Sequence, residues 1–159
     1  MGSVYHESKL MSLPHGERLQ TCRTILQNEE DESLRGEAVW VIGNLAGEII
    51  DERIFGEIAE LLEWVIKNDK NDVVKHEACF QLGEKKMKNK THVLLDAAIN
   101  DPSELVRHEA IEALGLMKAF ECRQMIQKSL QDKNTGVKQT AVFVLKQFDR
   151  LERAMNTKK

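Results

Sequence analysis

Proline occurs only twice in this 159-residue chain, at Pro14 and Pro102, and aromatic residues make up 5% of it. That aromatic content is too low for a typical β-sandwich. Cysteine is scarce as well: Cys22, Cys79 and Cys122 are an odd number and form no CxxC, which excludes a disulfide framework and a structural zinc knuckle and leaves reduced, buried thiols. The nine glycines make no phosphate-cradling loop, and no Ser, His, Asp constellation is present. Neither sign of charge dominates, with 23 basic and 26 acidic residues and a formal net charge of -3. No basic stripe is interleaved with aromatics, so neither a nucleic-acid nor a membrane-surface partner is expected. No apolar run can span a bilayer and no apolar signal segment opens the chain, which makes the cytoplasm the expected location.

What the chain does have is internal repetition. VVKHEACFQLG, starting at Val73, aligns with LVRHEAIEALG, starting at Leu105, so that Lys75, His76, Glu77, Leu82 and Gly83 fall on Arg107, His108, Glu109, Leu114 and Gly115, always 32 residues apart. The frame recurs upstream in LRGEAVWVIGN, with Arg35, Gly36, Glu37 and Gly43, and downstream in VKQTAVFVLKQ, with Lys138, Gln139 and Thr140. Self-similarity of this period marks a solenoid. Val106, Ala110, Ala113 and Leu114 form one apolar stripe of an amphipathic helix, and Val74, Ala78 and Leu82 repeat it.

The predicted fold is all-α, a solenoid of about four helix-pair repeats behind an N-terminal capping helix. Residues 1–12 read as a flexible start, 13–155 as a single repeat domain and 156–159 as a frayed tail. Within the domain the capping helix runs over 16–28 and the pairs over 33–45 with 52–67, 72–86 with 90–99, and 104–118 with 120–131. A long helix over 135–154 closes the stack, and no strand is expected. Asp31 to Ser33 supplies a helix cap, as does the Asp101-Pro102-Ser103 turn.

Glu77 and Glu109 stand on or beside the packing stripe, where a repeat helix normally carries a small apolar residue. An ionised carboxylate there needs a partner, a metal, or a proton. Adjacent His and Glu side chains leave a helix roughly 100° apart, so one pair grips an ion poorly, but the equivalent pair lies one helix-packing distance away. Two imidazoles and two carboxylates suit iron, manganese or zinc rather than calcium or copper(I). The HExxH pattern is absent, since Phe80 and Glu112 occupy its second histidine position. The flanking repeats keep Glu37 and Thr140 in the glutamate register but have Gly36 and Gln139 in place of imidazole, which localises any site to the two central repeats. His92 reads as a cap or surface residue, His6 and His15 lie in the weakly ordered start, and Trp40, Trp64, Phe80 and Phe143 fall at helical core spacing. The plainest alternative is a solenoid whose paired His and Glu are ordinary groove residues of a protein-binding adaptor.

The stretches VVKHEACFQLG and LVRHEAIEALG, with a basic residue before each His and a closing Leu-Gly, resemble the paired His-Glu repeats of the deoxyhypusine hydroxylase family of HEAT-like solenoids. In that family four His-Glu pairs, two in each of two homologous halves, bind a non-heme diiron centre that activates dioxygen to hydroxylate a modified lysine on a translation factor. This chain is similar to one half, over about residues 33–152. The resemblance implies iron, ahead of manganese or zinc, on His76, Glu77, His108 and Glu109. It also implies a homodimer in which two chains face each other across a two-fold axis, because one wall leaves iron half-coordinated. Dioxygen or peroxide is the small partner expected, and a protein substrate in the concave groove the large one. The related HEAT-like group that handles linear tetrapyrroles is a third reading, one that needs no His-Glu register.

Overall fold

The computed structural model describes residues 7–49 and 51–157, and so excludes His6 and parts of both expected flexible ends. Nine α-helices follow one another among the described residues: α1 Glu7–Met11, α2 His15–Asn28, α3 Glu32–Glu48, α4 Glu52–Asn68, α5 Asp72–Glu84, α6 Thr91–Asn100, α7 Glu104–Leu116, α8 Arg123–Gln127 and α9 Thr135–Asn156. No strand occurs among these residues, and none of their helices is long and apolar enough to cross a membrane. One layer stacks α3 on α5, α5 on α7 and α7 on α9; α2, α4, α6 and α8 form the other. This is the expected all-α solenoid.

Helix starts follow the expected chemistry. Asp31, Asp51, Asn71, Ser103 and Asn134 each accept a backbone N–H of the following helix, satisfying donors that have no intrahelical partner. Pro102 precedes the Ser103 cap rather than entering α7, and its carbonyl accepts from Arg107. The ends of α5 and α7 come two residues earlier than expected. Lys86 and Lys118 take positive φ, 53° and 55°, and the N–H of the residue after each reaches back to Leu82 and Leu114 at 3.0 and 3.1 Å. That six-to-one bond closes the helix whether or not the left-handed residue is glycine.

Two expectations are corrected. Residues 7–11, assigned to a flexible start, form a helix with Leu10 buried. Arg18 anchors it by donating to Met11 O at 2.7 Å and to Glu48 on α3 at 3.2 Å. With α1 against α3 and α2 against α4, the capping helix belongs to an abbreviated first pair. The helix expected over 120–131 is broken, a five-residue α8 between 3₁₀ turns Phe120–Cys122 and Lys128–Gln131. Its contacts with α9 override local propensity: Phe120 meets the Phe148 ring edge-on at 5.0 Å, and Arg123 pairs with Asp149 and Glu152.

The layer is tied together by polar bridges. Arg35 on α3 binds Asp69 at 2.8 Å, Lys75 on α5 binds Asp101 at 2.7 Å, and Arg107 on α7 binds Asp132 at 2.9 Å. Each aspartate also accepts the backbone N–H two residues on, of Asn71, Ser103 and Asn134, at 2.8–2.9 Å. The basic residue before each His is thus a structural element. Burial alone would raise the Asp132 carboxyl; the Arg107 guanidinium, the Asn134 N–H and the Lys133 charge together outweigh it and hold the group below its ordinary value.

Small residues let the helices approach. Ala38, Ala78, Ala110 and Ala141 are fully buried in equivalent register, and a β-carbon on Gly83 would lie 2.7 Å from the Cα of Ala113 on α7. All three cysteines are free and buried, with burial pushing the Cys22 thiol up to about 12.

Two outcomes follow for denaturant unfolding. Asp132→Ala leaves the Arg107 guanidinium buried without a counter-ion and should cost about 3 kcal/mol. Gly83→Ala should cost about 1–3 kcal/mol by overpacking α5 against α7; unchanged stability would mean that the two helices separate freely.

Candidate metal centre

Stacking α5, α7 and α9 in repeat register sets each histidine beside the glutamate-register residue of the next repeat. His76 Nε2 lies 3.0 Å from Glu109 Oε2, and His108 Nδ1 lies 2.6 Å from Thr140 Oγ1. One repeat earlier Gly36 offers no imidazole to Glu77, whose Oε1 instead accepts from Gln81 Nε2 at 3.3 Å. Gln81 itself occupies the space that the missing side chain of Gly43 leaves on α3.

Thr140 decides which way His108 works. Its hydroxyl donates to Gly136 O at 2.9 Å, so it accepts from His108 Nδ1–H, and this tautomer leaves the lone pair on Nε2. That nitrogen faces Glu112 Oε1 at 3.4 Å.

Charge is unbalanced at this cluster. Glu109 is 5% exposed. Burial first, then the charges of Glu112 and Glu77, push its carboxyl up to about 7. Among the described residues no lysine or arginine pairs with Glu77, Glu109 or Glu112, whereas Asp69, Asp101 and Asp132 each have one. Ligand atoms of His108, Glu109 and Glu112 converge within 4.8 Å of one another. Of the four residues singled out by sequence, His108 and Glu109 belong to that convergence and His76 meets Glu109 from outside it, while Glu77 is on the Gln81 hydrogen bond. The mixed nitrogen and oxygen donors, short of positive charge, fit a divalent transition metal.

Glu112 and Thr140 were not singled out as site residues from the sequence. The signal for Glu112 lay in its spacing, since a carboxylate four residues after an imidazole shares its helix face. Thr140 was in the glutamate register but without a visible histidine partner in its own repeat. His92 is exposed on α6, in the other layer, and His15 is exposed 3.6 Å from Glu48. The aromatics expected as packing divide: Trp40 and Phe143 are 39% and 61% exposed, and Val73 is exposed near Trp40. Gly36, Glu37, Trp40, Val73 and Glu77 line a shallow pocket adjoining the cluster.

A family profile described as HEAT repeats matches residues 58–146. The chain belongs to the HEAT-repeat family. This HEAT-repeat chain is also 28% identical over 137 residues to a deoxyhypusine hydroxylase of Danio rerio, an alignment covering 83% of the chain and 40% of that protein. The structure of human deoxyhypusine hydroxylase in complex with glycerol superposes with a TM-score of 0.73 at 20% identity, covering 92% of this chain and 48% of that one. A designed armadillo repeat protein gives 0.55 at 18% identity, covering 90% and 69%. The resemblance read from the two His-Glu stretches is therefore borne out, and the chain spans less than half the length of the two hydroxylases.

The raised Glu109 carboxyl gives the metal-free protein a distinctive pH dependence. Between the ordinary 4.5 and about 7 the folded state holds a proton that the unfolded chain has lost, so this group's contribution to stability falls as pH rises through that window. Glu109→Gln removes the charge at constant size. In the presence of a chelator its melting temperature should exceed that of the unaltered protein at pH 8, with the gap closing near pH 4; a parallel offset at both pH values would place the effect elsewhere.

Proposed function

We propose that this chain forms a non-heme diiron protein of the dioxygen-dependent hydroxylase kind, in which two copies face each other across a two-fold axis. Each contributes His76, Glu77, His108 and Glu109 to a shared pair of irons. The observation that carries the reading is a buried carboxylate, Glu109, against the His76 imidazole and beside His108, with further glutamates nearby and, among the described residues, no lysine or arginine paired with them. The similarity to deoxyhypusine hydroxylase supports it. Two imidazoles and two carboxylates leave a pair of irons half-coordinated, which favours a second facing set, and the exposed Trp40, Val73 and Phe143 on the same layer give such a pairing apolar area to bury.

When bound, iron would supply the activation of dioxygen needed to hydroxylate a C–H bond. The rest falls to the chain. His76 and His108 would hold the metal, and Thr140 holds the His108 ring through Nδ1, in the way a hydrogen bond behind a ligating imidazole fixes its tautomer and orientation. Glu109, whose carboxyl burial raises to about 7, would have to give up its proton to serve as a ligand, so metal binding would release protons near and below pH 7. Gln81 steers Glu77, and the apolar residues around the cluster exclude water once a second face covers them. The substrate proposed is a side chain of a protein partner laid along this face, and iron is preferred to manganese or zinc.

The exposed Trp40 and Phe143 also favour a second reading, a metal-free adaptor that docks a protein on the same face. Anaerobic loading with ferrous iron separates the two. About one iron per chain should survive desalting, with a dimer mass by sedimentation. His108→Ala should lose the iron while unfolding within about 1 kcal/mol of the unaltered chain. A chain that retains no iron is the adaptor.

A further inference from the structure

We infer that the groove between the end of α6 and the 3₁₀ turn Lys128–Gln131 is a binding site for a phosphate monoester. It is separate from the metal cluster, none of whose side chains lines it, and it does not depend on the diiron reading.

Three observations carry it. The first is a lapse in the repeat. Directly ahead of the bridge aspartates, the third and fourth residues back are Ile66 and Val65 before Asp69, and Ala98 and Ala97 before Asp101, all of them buried. Before Asp132 they are Ser129 and Lys128. The outer helix is broken at this point, Lys128 is exposed, and a groove of about 390 Å³ opens beside it. The second is an unanswered hydroxyl. Ser129 lines the groove at 4% exposure, and its Oγ has no hydrogen-bond partner. A buried hydroxyl in that state is costly, and one repeat earlier an alanine fills the same place. The third is charge. The grooves at the two earlier turns balance Lys67 and Lys75 against Asp96 and Asp101, and Arg35 and Lys70 against Glu29 and Asp69. Here Arg107, Lys128 and Lys133 meet only Asp101 and Asp132, which Lys75 and Arg107 already hold. Among the described residues no ion pair engages Lys128 or Lys133.

Two free ammonium groups and a hydroxyl suit a doubly charged oxyanion, since lysine binds phosphate as a point charge and the hydroxyl can donate to a further oxygen. The volume is that of a small-molecule pocket rather than of a bare ion. Ile99 and Pro102 on its wall give the esterified carbon an apolar surface.

Titration of the full ¹⁵N-labelled chain with glycerol 3-phosphate and with a short phosphoserine peptide tests this. Each should give saturable amide shifts confined to residues 98–102 and 128–133, weakened by added salt, and the tighter of the two identifies whether the ester is a free small molecule or a modified side chain. Replacing both lysines, Lys128→Ala with Lys133→Ala, should weaken binding by about tenfold or more. Ser129→Ala should weaken it by about threefold or more while the melting temperature of the free protein stays the same or rises, because the buried unpaired hydroxyl is gone. Absence of saturation, shifts centred elsewhere, or full-strength binding by either variant overturns the site. A lower melting temperature in Ser129→Ala does so too, since the hydroxyl would then be paired within the free protein.

Discussion

Each repeat is bound to the next by one arrangement, a basic residue in the first turn of one helix of the α3, α5, α7, α9 layer reaching an aspartate in the turn before the following helix of that layer. Arg35 with Asp69, Lys75 with Asp101 and Arg107 with Asp132 fix where the next helix begins, because the same carboxylates hold the backbone two residues on. Buried charge is costly unless paired and hydrogen-bonded on every side, so these bridges tolerate little displacement. They set the axial register of α3, α5, α7 and α9. Everything on the exposed face of that layer inherits it.

Against that register the glutamate cluster is distinctive for what it lacks. The aspartates of the bridges are neutralised by guanidinium or ammonium, whereas Glu109 is as deeply buried and is answered only by an imidazole. Folding energy is spent to keep a carboxylate in that state. Natural proteins tolerate such local costs chiefly where a ligand later offsets them. Close approach of α5 and α7 at Gly83 and Ala113 belongs to the same design, since it brings His76 within hydrogen-bonding distance of the next repeat's glutamate.

Much of the fold was legible because repetition is written in the chain. The 32-residue offset, the apolar stripe and the capping residues gave the helices within a few residues, and the paired His-Glu positions pointed to the stretch of α5 and α7 where Glu109 is buried against His76. Misplaced elements share a cause. The helix at Glu7–Met11 exists because Arg18 and α3 hold it, and the break around α8 exists because α9 engages Phe120 and Arg123. Local propensity contains neither contact. Trp40 and Phe143 were expected in the core because helical spacing identifies a face without saying whether anything packs against it.

The sequence by itself determined that this is a helical repeat protein, which helices recur and which residues stand in equivalent places, since periodicity is a property of the chain alone. It also determined that two glutamates sit where a charge is costly. Only the tertiary structure decided which side chains meet. Across repeats His76 reaches Glu109 and His108 reaches Thr140, whereas Glu77, opposite a glycine, turns to Gln81. Those meetings depend on helix separation, on the axial offset set by the aspartate bridges and on side-chain rotamers. None of these has a period in the sequence.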